Sequence, residues 1–139
     1  MIRYLLGPDA RTRALEQALR DHARVAVTGG PWTGKTTLVE GVNDRELVHT
    51  DAVKDEPWEA QPDLIIAACA PHARFVVEGC QVPRALRKGL EVDCVIWLAK
   101  PMLELDPKRD AKRIAFGKGV ATVFESIREK LTVPVLVCP

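Results

Sequence analysis

The sequence has almost no net charge and no long apolar run. Each absence excludes a class of protein. Its 139 residues include 20 Lys and Arg against 19 Asp and Glu, for a net charge of +1. This balance excludes a chain built mainly to coat nucleic acid or a membrane surface. No apolar run approaches the roughly 18 residues of a membrane-spanning helix, and the apolar part of the N-terminus is too short for a signal peptide. We expect one domain over residues 1–139 and no membrane segment.

The cysteines lack the spacing of a metal site. There are 4 of them and no C-x-x-C pair, so a zinc site is not expected. Three lie in apolar runs, which is typical of reduced thiols in a core. Apolar types make up 47% and charged types 28%, as in ordinary globular domains. We therefore expect a cytoplasmic, single-domain protein.

Short runs rich in Val and Ile alternate with helical stretches. The runs are bounded by Gly, Pro or charged residues, as buried parallel strands are. They cover residues 24–28, 47–50, 74–77, 92–98 and 133–137. Helices are predicted after a cap at Asp9, from Pro62, from Pro83, and along an apolar stripe over residues 120–131. The alternation predicts an α/β fold with a five-stranded parallel sheet between helices.

Residues 29–36 read GGPWTGKT and match the phosphate-binding pattern G-x-x-x-x-G-K-[ST] in full. A predicted strand precedes them and a predicted helix follows. Gly29 and Gly34 allow backbone torsions that turn successive N–H groups towards a phosphate, and the helix N-terminus adds partial positive charge. Lys35 would reach the outer phosphates, and the Thr36 hydroxyl would coordinate Mg²⁺. The predicted nucleotide-binding set is Gly29, Gly30, Pro31, Trp32, Thr33, Gly34, Lys35, Thr36 and Thr37.

The loop and its flanking elements resemble the P-loop NTPase superfamily. Within it, the chain is most similar to the small nucleoside and nucleotide kinases, including zeta-toxin and shikimate-kinase-like proteins. No N-K-x-D guanine-reading motif occurs, which argues against a GTPase. The resemblance implies a three-layer fold in which the five predicted strands, numbered along the chain, take the order 2-3-1-4-5. It also implies ATP and Mg²⁺ as cofactors.

Two acidic residues follow predicted strands where ligands would bind. The resemblance implies that Asp51 touches the phosphate acceptor, where it would accept a proton from a hydroxyl. The alternative for Asp51 is a turn or helix-cap residue. Glu78 would lie beside the strand of the phosphate loop and hold the magnesium shell. The alternative for Glu78 is a loop residue that Gly79 leaves exposed to solvent.

Basic residues cluster in two later segments. The resemblance implies a mobile basic lid before the last helix, and residues 108–118 carry five cations against one anion. Arg109 and Arg113 would there stabilise charge on the transferring phosphoryl group, the alternative being the basic exterior of a helix. Arg84 and Arg87 are three apart, so they form either a clamp for an anionic substrate or a solvated helix face.

The predicted function is Mg²⁺-dependent transfer of the γ-phosphoryl group of ATP to a small molecule, a nucleoside or a nucleotide. Lys35 and Thr36 would bind the donor, Asp51 would orient the acceptor, and the lid arginines would stabilise the transition state. A kinase acting on the 5′-hydroxyl end of a nucleic acid is a less favoured alternative. Two others are a partner-coupled ATPase and a low-turnover nucleotide-binding module. The module is favoured by the lone Glu78, because an efficient hydrolase is expected to carry paired carboxylates at that position.

Overall fold

Six short strands form one parallel sheet in the computed structural model, which describes residues 2–139. The strands are β1 (Ile2–Tyr4), β2 (Arg24–Gly29), β3 (Glu46–His49), β4 (Phe75–Glu78), β5 (Cys94–Leu98) and β6 (Val135–Cys138). The helices are α1 (Ala10–Asp21), α2 (Lys35–Val39), α3 (Gln61–Cys69), α4 (Val82–Lys88) and α5 (Ala111–Ile127). Single 3₁₀ turns cover Thr50–Val53, Trp58–Ala60 and Arg128–Lys130.

The strands lie in the order β1-β6-β5-β2-β4-β3, and every pairing is parallel. The five predicted strands are therefore present and follow one another in the expected order. The expected count of five was wrong, because β1 adds a sixth strand beside β6, with Ile2 opposite Val135. β1 has three residues, of which two are exposed, so it carries no apolar pattern that marks a strand in the sequence.

The side chains of the sheet alternate between two apolar layers. Val25 and Val27 of β2 pack with α1 and α2 on one face of the sheet, whereas Ala26 packs with α3, α4 and α5 on the other. On the second face the ring of Trp97 stacks on Phe124 of α5, with centroids 4.2 Å apart and planes 3° from parallel. Trp97 is buried and belongs to the core on this face of the sheet.

The helices predicted from Asp9, Pro62 and Pro83 correspond to α1, α3 and α4. Pro62 and Pro83 lie in the first turns of their helices, where a missing N–H costs nothing. Asp9 does occupy the cap position of α1, but its side chain makes no capping hydrogen bond. That detail of the prediction was wrong.

The last helix begins earlier than predicted and absorbs most of the basic segment. α5 starts at Ala111, so residues 111–118 are its first turns and do not form a lid that precedes it. The segment is fixed by Asp106 and Asp110. The buried Asp110 carboxylate accepts from the Asp106 N–H at 2.9 Å, while Asp106 Oδ1 accepts from the N–H groups of Lys108 and Arg109. These bonds order the entry to the helix.

The carboxyl ends of β2, β3 and β4 meet at one edge of the sheet, the edge that binds ligands in open α/β folds. Two glycines shape this edge. Gly34 leads into α2 with φ +84°, and Gly79 follows β4 with φ +144°, where a β-carbon would collide with the Thr50 hydroxyl. Across residues 2–139, none of the helices combines the length and the apolar composition that crossing a membrane requires.

Candidate functional site

A cavity of about 410 Å³ opens at this edge, between the loop after β2 and the ends of β3 and β4. Eight residues of the predicted site line it, namely Pro31, Trp32, Gly34, Lys35, Thr36, Thr37, Asp51 and Glu78. They come from three separate parts of the chain, and the parallel sheet brings them together because all three strands end at the same edge. The wall is completed by Cys80 and by Phe116 of α5.

The predicted phosphate loop encloses the ammonium group of Lys35. Lys35 is only 8% exposed, and its Nζ donates to the carbonyl oxygen of Gly30 at 2.7 Å and to Thr33 Oγ1 at 3.2 Å. The carbonyl oxygen of Thr33 in turn accepts from the guanidinium of Arg11. The loop therefore holds a positive charge at the N-terminus of α2.

Glu78 is the buried acidic residue of the site. It is 3% exposed, so the alternative of a solvent-exposed loop residue was wrong. Its Oε1 accepts from the Thr36 hydroxyl at 3.2 Å and lies 2.6 Å from Nδ1 of His49. The Thr28 hydroxyl donates to the carbonyl oxygen of Gly79 at 2.8 Å and thereby ties the ends of β2 and β4 together. Glu78 is thus fixed from two sides at the cavity floor.

The Thr36 and Glu78 oxygens suit a hard divalent cation. Mg²⁺ prefers oxygen ligands and is usually held by one or two protein groups, with phosphate and water oxygens completing the shell. A hydroxyl and a carboxylate 3.2 Å apart at the cavity floor fit that arrangement. Over residues 2–139 there is no group of three or more His, Cys, Asp or Glu side chains placed to bind a metal by themselves.

Asp51 lies in the 3₁₀ turn that follows β3, and its exposed side chain borders the cavity. The position agrees with the predicted end of the second strand, but the local structure is a turn. Cys80 lies on the wall beside it. Burial raises the pKa of the Cys80 thiol, while the nearby ammonium of Lys35 opposes that rise. The other cysteines, Cys69, Cys94 and Cys138, are buried in the core.

The two arginines predicted to act as lid residues differ in their relation to the loop. Arg113 donates to the buried Asp110 at 3.1 Å, and its guanidinium carbon lies 4.2 Å from the ring centre of Trp32. Arg109 also binds Asp110, at 3.0 Å, but its side chain is 69% exposed. Hydrogen bonding to Arg109 lowers the pKa of Asp110. The structure brings Arg113 to the predicted phosphate loop and does not bring Arg109 there.

The predicted pair Arg84 and Arg87 does not form one face. Arg87 is exposed, whereas Arg84 is 8% exposed and its guanidinium carbon lies 3.8 Å from the ring centre of Trp58. Arg84 donates to the carbonyl oxygen of Trp58 at 2.8 Å and to Gln81 Oε1 at 3.2 Å, and burial lowers its pKa. A solvated face was therefore wrong for Arg84. Trp58 was missed, since it lies in an irregular acidic segment without periodicity.

A second cavity, of about 630 Å³, adjoins the first and shares Trp32, Gly34 and Thr37 with it. Its outer wall includes the exposed side chains of Met102 and Leu103, from the segment after β5. Trp32 adopts φ +61°, which is unusual for a bulky residue, and its carbonyl oxygen accepts from the Met102 N–H at 2.6 Å. The tryptophan therefore separates two cavities. No sequence pattern marks the second one.

No protein-family model matches the chain, and no curated protein is similar to it in sequence. The predicted phosphate loop, its cavity and the acidic side chains beside it are the features that bear on function.

Proposed function

We propose that the protein is an ATP-dependent phosphotransferase with the three-layer fold of P-loop NTPases. It moves the γ-phosphoryl group of ATP to a small acceptor with Mg²⁺ as cofactor. The observation that carries this proposal is that Lys35, Thr36, Asp51 and Glu78 line one cavity at the carboxyl edge of the sheet. A cation, two potential metal ligands and a candidate base are the parts that phosphoryl transfer requires.

The donor would occupy the phosphate loop and the cavity beyond it. The ammonium of Lys35 and the backbone N–H groups of the loop would bind the outer phosphates. Thr36 and Glu78 would hold Mg²⁺, which neutralises charge on the phosphates when bound. The nucleoside part of ATP would bind in the apolar cavity that Met102 and Leu103 border.

The acceptor would meet the γ-phosphate on the side of Asp51. Asp51 would orient the acceptor hydroxyl and take up its proton, and catalysis would come mainly from positioning and charge stabilisation. Arg109 and Arg113 are proposed to stabilise the transition state. The role is better supported for Arg113, because its guanidinium already lies over Trp32 of the loop.

A nucleotide-binding module with little turnover is the second candidate. Asp51 and Glu78 are the acidic residues on the cavity wall, and Glu78 is engaged by both Thr36 and His49. A single engaged carboxylate at the end of β4 suits nucleotide binding better than activation of a water molecule for ATP hydrolysis. An ATPase coupled to a partner protein would share the same donor site.

Turnover of Mg·ATP separates these functions. ADP production is measured alone and with a panel of hydroxylated small molecules, nucleosides, nucleotides and 5′-hydroxyl oligonucleotides. ADP that appears only with an acceptor supports the kinase, and ADP without one supports the ATPase. Binding of ATP without ADP supports the module. The variant Lys35→Ala is the control for contaminating activity.

We propose further that the protein resides in a reducing compartment such as the cytoplasm. All four cysteines are free, and three of them are buried. Reduced, buried thiols are typical of proteins kept away from oxidising compartments.

A further inference from the structure

His49 and Glu78 end neighbouring strands and lie opposite each other in the register of β3 and β4. Nδ1 of His49 lies 2.6 Å from Oε1 of Glu78. An ionised carboxylate can only accept hydrogen bonds, so Nδ1 carries a proton and is the donor. The end of β3 therefore supplies a hydrogen-bond donor to the acidic residue at the cavity floor.

The backbone around this pair is closely packed. Thr50 follows His49 and is buried. A β-carbon at Gly79, the residue after Glu78, would collide with the Thr50 hydroxyl. The Thr28 hydroxyl also donates to the carbonyl oxygen of Gly79 at 2.8 Å, which ties the end of β4 to β2. Because both strand ends are held in place, the sheet sets the direction from which His49 approaches Glu78.

The hydrogen bonds of Glu78 leave one of its two oxygens available to a cation. Oε1 accepts from the Thr36 hydroxyl at 3.2 Å as well as from His49. Over residues 2–139 no protein donor binds Oε2, and this atom is not buried away from solvent. Glu78 borders the cavity, so Oε2 is the oxygen that a cation in the cavity would meet.

The two donors to Oε1 differ in how firmly they hold it. A hydroxyl hydrogen rotates about its C–O bond, and the Thr36 oxygen is itself proposed to bind the cation. The N–H of an imidazole, in contrast, has a fixed direction in the plane of the ring. His49 does not border the cavity, so it would touch neither the cation nor the nucleotide. Any effect of His49 on the cation therefore passes through Glu78.

We infer that His49 is a positioning residue for the divalent cation, an inference that rests on the proposed function. Its Nδ1–H holds Oε1 of Glu78 and thereby keeps Oε2 directed towards the cation that accompanies ATP. Hydrogen bonds of this kind orient metal-binding carboxylates, and their loss typically costs about 10–100-fold in metal affinity or activity. A histidine that only joined the two strands would affect folding and leave the affinity of the folded protein for the cation unchanged.

Binding of Mn²⁺ to the full chain tests this role without turnover. Mn²⁺ accepts the same oxygen ligands as Mg²⁺, and water-proton relaxation reports its binding to a slowly tumbling protein. It is titrated into wild type, His49→Val and His49→Asn, each with a non-hydrolysable ATP analogue bound. His49→Val has no donor and should weaken Mn²⁺ binding about 10–100-fold. Asparagine can donate from near the position of Nδ1, so His49→Asn should retain most of the wild-type affinity.

Two controls separate this effect from a general loss of structure. The His49 side chain is 40% exposed, so its replacement removes little core packing, and affinity for the analogue in EDTA should be the same in all three proteins. His72→Val changes a half-buried histidine beside the starts of β2 and β4 and should leave Mn²⁺ binding unchanged. Equal Mn²⁺ affinity in wild type and His49→Val, or an equal loss in His49→Val and His49→Asn, would overturn the inference.

Nitrogen NMR of the imidazole rings tests the same hydrogen bond in the wild-type chain, which has 3 histidines. Nδ1 of His49 should be protonated both with and without Mg²⁺ and the analogue. An unprotonated Nδ1 would overturn the inference, even if His49→Val does not fold.

The same titrations distinguish this inference from the proposed function. If wild type does not bind the analogue, the proposed function is wrong and the inference falls with it. If wild type binds both the analogue and Mn²⁺ while His49→Val does so equally well, only the role of His49 is wrong and the nucleotide site stands.

Discussion

Thr36 and Glu78 are hydrogen-bonded across the cavity floor, with 3.2 Å between the hydroxyl oxygen of one and a carboxylate oxygen of the other. The bond joins the first turn of α2 to the end of β4 and brings together residues 42 positions apart in the chain. A divalent cation that arrives with a triphosphate would meet both oxygens at once.

Glu78→Gln should weaken metal use more than nucleotide binding. The amide keeps the size of the side chain but loses the charge that attracts Mg²⁺. The Mg²⁺ concentration for half-maximal turnover should therefore rise at least about tenfold above that of wild type. Turnover is measured against Mg²⁺ concentration at fixed ATP. Glu59→Gln, an exposed acidic residue outside this cavity, is the control. An unchanged Mg²⁺ requirement would remove Glu78 from the metal site.

Asp51→Asn should leave ATP affinity intact and lower kcat. Asparagine cannot take up the acceptor proton, and loss of a general base commonly costs about 10²–10⁴-fold in rate. The measurement is acceptor-dependent ADP release together with a nucleotide titration. Asp55→Asn changes an exposed residue of the same segment that does not border the cavity. Equal loss in both variants would mean that Asp51 is a turn residue.

Arg113→Gln should lower the affinity for ATP, whereas Arg109→Gln should leave that affinity unchanged. The guanidinium of Arg113 over Trp32 is a cation–π contact worth about 0.5–1 kcal/mol at exposed sites, so ATP affinity should fall about two- to fivefold. Nucleotide titrations of the two variants decide the matter. If Arg109→Gln costs as much as Arg113→Gln, then α5 moves on binding and brings both arginines to the phosphates.

Asp110→Asn should destabilise the protein at neutral pH and have less effect in acid. Arg109 and the Asp106 N–H hold the pKa of Asp110 below its ordinary 3.8. A lowered pKa in the folded state contributes stability above the ordinary value, and that stability is lost as pH falls through the folded-state value. The difference in free energy of unfolding, measured with urea at pH 7 and pH 3, should shrink at pH 3. Asp63→Asn, an exposed residue, is the control, and a constant difference would contradict the prediction.

Much of the fold was predictable because its determinants are local. The runs around Val25, Val76 and Ile96 are apolar on both faces of the sheet, and β-rich runs separated by helices leave few topologies open. The start of α5 was missed for a physical reason. Its first turns are basic and face solvent, so they carry no apolar stripe, and the bonds between Asp106 and Asp110 that fix them are visible only in three dimensions.

The site was predictable in part for the same reason. The glycines and Lys35 form a contiguous motif, and Asp51 and Glu78 follow strands that end at one edge. The partners of these residues were not predictable. These contacts depend on how α4 and α5 pack against the sheet. They are the contact of Arg113 with Trp32, the burial of Arg84 under Trp58, and the place of Phe116 in the cavity wall.

The central claim is that the loop around Lys35 binds the phosphates of ATP, and calorimetric titration with a non-hydrolysable ATP analogue tests it most directly. Wild type is compared with Lys35→Ala and with Lys54→Ala, an exposed lysine that does not border the cavity. Circular dichroism should show that all three are folded. Saturable binding to wild type and Lys54→Ala, abolished in Lys35→Ala, is the predicted result. A folded Lys35→Ala variant that binds the analogue as tightly as wild type would contradict the account.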